Sequence, residues 1–270
     1  MLKKEEGMLG LRSYFMGFGA TCLILLALLG CEEAKDRNST LPLLKLATSA
    51  DAPPFEFHRT SEGKDEIMGF DIDLAHAIAK ELGMSLQIYD GDFSSLIPML
   101  HSGRADLAMA SLSVTNERSK TVDFSKPYYT AQTVLLVLQG NNFKEDEFGG
   151  KRIGVQLGST HEQFAKILAK NHTGMEVISL NKLAALTEEL QSNRIDGILL
   201  DKTPAEAYAR LSNGRYSIVL LSEGRADYAI AFPKGSSLRT RVNQALDHLK
   251  RKGDIQRLIE KWFETRQTTS

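Results

Sequence analysis

The sequence predicts an α/β fold of two similarly built lobes joined by a two-strand hinge, on three observations. From Leu43 onward, short apolar runs alternate with amphipathic stretches, the pattern of buried strands separated by helices. A helix–turn–strand unit then occurs twice: Leu100, Ser102, Arg104 and Asp106 are echoed ninety positions later by Leu190, Ser192, Arg194 and Asp196. Chance alone could produce such an echo, yet it fits two lobes of one plan. The chain has 270 residues, 42% hydrophobic and 25% charged, enough for one large domain or two modest ones with real cores.

The first thirty residues stand apart. Lys3, Lys4 and Arg12 precede an uncharged apolar run, Tyr14 to Leu29, that ends in Leu28-Leu29-Gly30-Cys31. A basic start before a short apolar run reads as an export signal over residues 1–30. The run falls short of the ~20 residues that cross ~30 Å of hydrocarbon comfortably, so a permanent span is the weaker reading. Residues 31–42 form a polar tether, and the stretch from Glu32 to Pro42 reaches at most about 40 Å. Loss of residues 1–30 removes three basic and two acidic residues, taking the formal charge from -1 to -2. Cys22 leaves with that segment, so the mature chain has no disulfide partner for Cys31.

In the body, Leu43–Thr48, Ser85–Tyr89, Ala105–Ala110, Thr133–Leu138, Lys151–Gln156, Glu176–Leu180, Ile195–Leu200 and Tyr228–Phe232 read as strands. Phe70, Leu74, Ile78 and Leu82 recur at i+4 and predict a helix that Gly83 closes. Leu96, Ile97 and Leu100 predict another before Gly103. The first lobe is assigned to residues 43–130 plus 226–267 and the second to 131–225. The runs Thr133–Leu138 and Tyr228–Phe232 are expected to be the two crossings, with a ligand cleft between the lobes.

Charge and motifs narrow the function. Near-neutral balance gives no general pull toward nucleic acid, and no such partner is expected. The six histidines are scattered, and no GxSxG, HExxH, P-loop or GxGxxG occurs in the mature body, so neither metal nor cofactor is expected. Lys250-Arg251-Lys252 reads most simply as a solvated helix face.

Six or more motifs stand in a telling order: Pro53-Pro54-Phe55-Glu56-Phe57, Gly69-Phe70-Asp71-Ile72-Asp73-Leu74, Asp92-Phe93 with Leu96-Ile97-Pro98, Ser111-Leu112-Ser113-Val114-Thr115-Asn116-Glu117-Arg118, and Asp123-Phe124-Ser125 with Pro127-Tyr128-Tyr129. Gly158-Ser159-Thr160, Leu200-Asp201 and Ala231-Phe232-Pro233-Lys234-Gly235 extend the series. Together, from about Leu43 to Phe263, the chain resembles the polar amino-acid branch of the bacterial extracellular solute-binding proteins, capture subunits of ABC importers. The resemblance implies a periplasmic-binding-protein-like fold, a free polar L-amino acid as ligand, ABC permease subunits as partners, and a monomer. The end of the export segment is similar to a lipobox, implying lipidation at Cys31 and a membrane anchor, periplasmic or cell-surface.

An α-amino acid needs a positive fork for its carboxylate and an acid for its ammonium. Arg118 can be that fork. By its residues alone it reads more readily as a surface arginine paired with Glu117 or Asp123; the resemblance makes it the carboxylate clamp. Thr115 or Asn116 is placed to cap a short helix there. Asp201 ends an apolar strand and resembles the family acid that takes the ammonium, with helix capping as its other role. Ser159, Thr160 and His161 open a helix whose N–H groups and hydroxyls suit a carboxylate. Phe93 resembles the aromatic that packs on the ligand, and Ala110, Ser111 and Ser113 line the turn beside it. Asp106 and Asp196 read as structural turn residues. Ser49 stands where many basic- or amide-binding members carry an acid, and Ala52 where many carry an aromatic, so a two-sided aromatic clamp is not expected. Glu56 or Asp51 could neutralise a guanidinium and His161 could bond an amide, which favours arginine or glutamine. The family also has cyclohexadienyl dehydratase relatives, in which Glu56 or Asp201 could be cast as the acid; the full zwitterion-binding set favours capture without chemistry.

Overall fold

The computed structural model describes residues 41–264. The export segment, Cys31 and nearly all of the tether lie outside the described residues, as do residues 265–267 of the expected first lobe.

Two five-stranded sheets carry the body. The first lobe starts with β1 (Leu43–Thr48), then β2 (Asp51–Ala52), β3 (Glu56–Ser61) and β4 (Lys64–Met68), which form a small three-stranded sheet of their own, and helix α1 (Phe70–Glu81). It continues through β5 (Ser85–Asp90), α2 (Leu96–His101), β6 (Leu107–Ala108) and β7 (Val122–Phe124). The second holds β8 (Tyr129–Leu138), β9 (Arg152–Gln156), α3 (Thr160–Asn171), β10 (Glu176–Leu180), α4 (Leu183–Gln191), β11 (Gly197–Asp201), α5 (Lys202–Leu211) and β12 (Tyr216–Tyr228). The chain then returns to the first sheet with β13 (Ala231–Pro233) and ends in α6 (Leu238–Arg251) and α7 (Asp254–Ile259).

The strand orders explain the sequence echo. The first sheet runs β5-β1-β6-β13-β7 and the second β10-β9-β11-β8-β12. In each, three parallel strands with helical crossovers are followed by an antiparallel fourth strand. The echoed aspartates do the same job in both. Asp106 accepts the Lys45 N–H at 2.8 Å while its own N–H donates to the Lys45 carbonyl. Asp196 accepts the Arg152 N–H at 2.7 Å while its N–H donates to the Arg152 carbonyl. Each carboxylate thus locks the third parallel strand beside the first, the turn role expected of them.

Strands buried on both faces read as continuous apolar runs, and the cores show it. In β8, Val134 and Leu136 face one core cluster with Ile198 and Leu200, whereas Leu135 and Val137 face another with Ile153 and Leu199. Around the first sheet, Leu44, Leu46, Phe70 and Phe232 pack on one side and Ala47, Leu96, Leu100 and Val122 on the other.

Both crossings differ from the expected ones: Thr133–Leu138 lies within the second sheet against β11 and β12, and the chain crosses at the start of β8 and the end of β12, where Tyr129–Gln132 pair with Arg225–Tyr228; Ala229 and Ile230 then turn the chain into the first sheet. A long strand with polar, half-exposed positions masked the crossing in the sequence. The hairpin β3–β4 was missed for a similar reason: from His58 to Glu66 its residues are exposed on both faces, so no apolar alternation marks it.

Candidate functional site

The parallel strands of both sheets end at one cleft, the usual ligand position in α/β folds. Segments following β1, β5, β6, β9 and β10 and the ends of β11 and β12 line it, with Asp51, Ala52, Glu56, Phe93, Ala110, Ser111, Ser113, Gln156, Ser159, Thr160, His161, Leu183, Leu200, Asp201, Pro204 and Tyr228 around a cavity of about 40 Å³. Most of the residues expected from the sequence meet here. Arg118 and Ser49 stand behind the lining.

On the first-lobe side, two sequence motifs clasp each other. The first N–H groups of α1, from Phe70 and Asp71, donate to the Pro54 and Phe55 carbonyls at 2.9 Å each. Gly69 permits this approach: its φ is +138°, and a Cβ there would lie 2.1 Å from the Phe55 oxygen. The clasp brings Glu56 and Asp71 together, at 1% and 0% exposure. Asp71 Oδ2 accepts the Ser111 N–H at 3.0 Å and the Tyr128 hydroxyl at 2.8 Å. The first of these holds Ser111 at φ +49°, an uncommon backbone for a serine. Ser111 Oγ then donates to both Glu56 oxygens, at 3.1 and 3.2 Å. Burial pushes the Glu56 carboxyl well above the usual carboxylate range, helped by the charges of Asp71 and Asp51. Burial also lifts Asp71, to about 6, against the hydrogen bonds it accepts.

Arg118 is buried, not a surface ion-pair partner. Asp123 is engaged by Lys234 and Arg239 instead. The Arg118 guanidinium donates from Nη1 to the Ser113 carbonyl at 2.7 Å and from Nη2 to the Gly158 carbonyl at 3.1 Å, and lies 5.4 Å from the Phe93 ring centre. Burial lowers it to about 10, so it remains cationic at neutral pH. Thr115 Oγ1 accepts the Arg118 N–H at 3.1 Å, the expected cap, on a turn of only three residues, Arg118–Lys120.

From the second lobe, Ser159 caps α3, accepting the Glu162 N–H at 3.1 Å, while Glu162 accepts the Gly158 N–H at 2.8 Å. This presents Thr160 and His161 to the cleft. Asp201 sits at the N-cap of α5 but makes no side-chain cap bond, which corrects the capping alternative. Its carboxylate turns into the cleft, where His161 Nε2 lies 3.3 Å away and the Tyr228 hydroxyl donates to it. Burial opposes its charge, but His161 and Tyr228 together hold it below the usual range.

Between the lobes the deciding group is Asp51. Its carboxylate accepts the Leu183 N–H at 2.8 Å and Gln156 Nε2 at 3.1 Å, both from the second lobe, and Ser49 Oγ at 3.3 Å. Burial raises its carboxyl despite those bonds and Lys182. Lys182 reaches back to the Gly91 carbonyl at 2.7 Å and to Ser49 Oγ at 3.4 Å. Ala52 packs into the second lobe's core cluster. The structure is therefore of the lobes drawn together, with the ligand space between them. Gln156, Leu183 and Tyr228 were not singled out in the sequence; Gln156, polar at the end of a buried strand, was the signal available.

A family model described as bacterial extracellular solute-binding proteins, family 3, matches residues 44–265. The chain belongs to that family. Among relatives, the arginine-binding extracellular protein ArtP of Bacillus subtilis is 36% identical over 248 residues, covering 90% of this chain and 95% of that one. An ancestral arginine-binding protein solved with arginine superposes with a TM-score of 0.77 at 40% identity, covering 82% of this chain and 98% of that one. An ancestral arginine-binding protein bound to glutamine gives 0.77 and 39%, with 82% and 97% covered. The resemblance to the polar amino-acid branch and the two-lobed α/β fold are thereby borne out. Members of the solute-binding family are binding proteins, exported from the cytoplasm.

Proposed function

We propose that this protein captures a free polar L-amino acid, arginine or glutamine foremost, by closing its lobes, and delivers it to an ABC permease from a lipid anchor at Cys31. The observation that carries the reading is that one cleft has a buried arginine just behind its lining, with no carboxylate partner among the described hydrogen bonds, and a buried aspartate kept ionised in the lining itself. Arg118, with the Ser159–His161 helix start, suits the ligand's carboxylate; Asp201 suits its ammonium; Phe93 and the carboxyls of Glu56 and Asp51 suit a long side chain ending in amide or guanidinium. Relatives that bind arginine, and an ancestor solved with both arginine and glutamine, support the same ligand class. Each interaction is non-covalent and fits a monomer that needs no cofactor.

A thermal-shift screen of the mature protein with the twenty amino acids tests this, because a ligand at a hundred times its Kd adds ~2.7 kcal/mol of stability. No shift with any amino acid would defeat the capture reading. Turnover of prephenate would instead favour the dehydratase alternative. That substrate carries two carboxylates and no ammonium, and would meet Asp51, Glu56 and Asp201, which disfavours it.

A further inference from the structure

We propose that Asp71, which touches no ligand, sets the charge that Glu56 shows to the cleft, so that a cationic side chain enters only by displacing a proton held between these two carboxyls. The inference rests on the capture reading and deepens it by naming how the side-chain end of the site is charged.

Four observations carry it. Glu56 lines the cleft while Asp71 stands behind it, and both are buried. Asp71 Oδ2 is saturated by two donors, the Ser111 N–H and the Tyr128 hydroxyl. Its other oxygen, Oδ1, is buried without a donor among the described side chains and backbone groups. Ser111 holds both acids at once, its hydroxyl donating to Glu56 and its N–H to Asp71, and two buried carboxyls gathered on one residue resist ionising together.

Among the described residues, no cation acts on Glu56. The titratable groups that face Glu56 are Asp71 from α1, Asp51 from β2, Tyr128 ahead of β8 and Tyr228 at the end of β12. The Ser111 hydroxyl donates to Glu56 and is neutral. With the cleft empty, the proton resides on Glu56 and bridges to Asp71 Oδ1. A neutral amide or ureido group is received by that protonated acid. A guanidinium takes the proton's place, and the proton leaves to solvent; charge balances, one positive charge exchanged for another.

The test counts protons. L-arginine and L-citrulline have the same length and the same zwitterion, so any proton exchanged at Asp201 or His161 is common to both and cancels. Titration calorimetry of each on the full mature protein, in two buffers of different ionisation enthalpy from pH 5 to 8, gives the protons released. Arginine should release up to about one proton more than citrulline at the acidic end, and its affinity relative to citrulline should climb about tenfold per pH unit until Glu56 ionises unaided. Asp71→Asn should shift that release curve about one unit or more toward acid. Glu56→Gln should abolish the excess release altogether, which guards against misfolding of the Asp71 variant. Arginine binding with the same proton count as citrulline at every pH would overturn the proposal and leave capture standing. Absence of binding by all twenty amino acids and citrulline would overturn both.

Discussion

At the scale of single residues, charge placement decides what the cleft holds. Arg118→Ala removes a guanidinium whose charge-assisted bonds are worth ~1.5–3 kcal/mol, so amino-acid affinity measured by calorimetry should fall roughly ten- to hundred-fold; an unchanged Kd would exclude Arg118 from the site. The buried carboxyls also give the ligand-free protein an unusual response to pH. Glu56 and Asp71 have raised pKa values, Asp71 near 6, so between the ordinary carboxylate range and those values the native state holds more protons than the unfolded chain. Stability therefore declines as pH rises from about 4 through 6, by up to ~1.4 kcal/mol per pH unit per proton. Asp201 has the opposite sign: its contribution is present above the ordinary aspartate pKa and is lost as pH falls through the lowered one. Urea midpoints across pH 3–8 should show both limbs, and Glu56→Gln should flatten the upper one. The individual site residues were largely legible beforehand, because Ser111, Ser113, Phe93, Ser159 and Asp201 sit in short motifs with fixed spacing. Asp71's hidden partnership was not legible, since nothing in linear order links Pro54-Phe55-Glu56 to Gly69-Phe70-Asp71 across an exposed hairpin.

At the scale of elements, two glycines hold geometry that no other residue allows. Gly69→Ala would drive a methyl into the Phe55 carbonyl, break the clasp between the hairpin and α1, and displace Glu56. It should cost roughly 2–4 kcal/mol in denaturant unfolding; a wild-type midpoint would show that the clasp yields. Gly224, at φ +96°, lies in the irregularity between Leu220 and Arg225 of β12, and a Cβ there would meet the Thr133 side chain at 2.6 Å. Leu43–Thr48 and Glu176–Leu180 are legible to their exact ends because Pro42 and Gly174 stand ahead of these short runs and polar residues follow them. Strand β12 is not, since it pairs with β8 alone and its register shifts between Leu220 and Arg225, where the sequence turns polar.

At the scale of the whole molecule, closure uses a contact that crosses between lobes. Helix α4 begins after Lys182, which provides no side-chain cap, and the Leu183 N–H is instead met by Asp51 from the other lobe. The cap exists only when the lobes are together. Loss of a helix cap is worth about 1–2 kcal/mol, so Asp51→Ala should depopulate the closed form some 5- to 30-fold. Small-angle scattering of the variant should give a larger radius of gyration without ligand, and ligand affinity should weaken in proportion to the lost closed fraction. An unaltered scattering curve would mean that closure is held by other contacts.

The pairing of Tyr129 with Tyr228 has one more consequence. Everything forming the second sheet is encoded without interruption between two points that touch, so that half behaves genetically as a cassette. Exchanging it with the same stretch of a relative would replace Asp201 and the Ser159 turn while leaving Glu56 and its buried companion untouched, making the two ends of the bound molecule separately tunable by recombination.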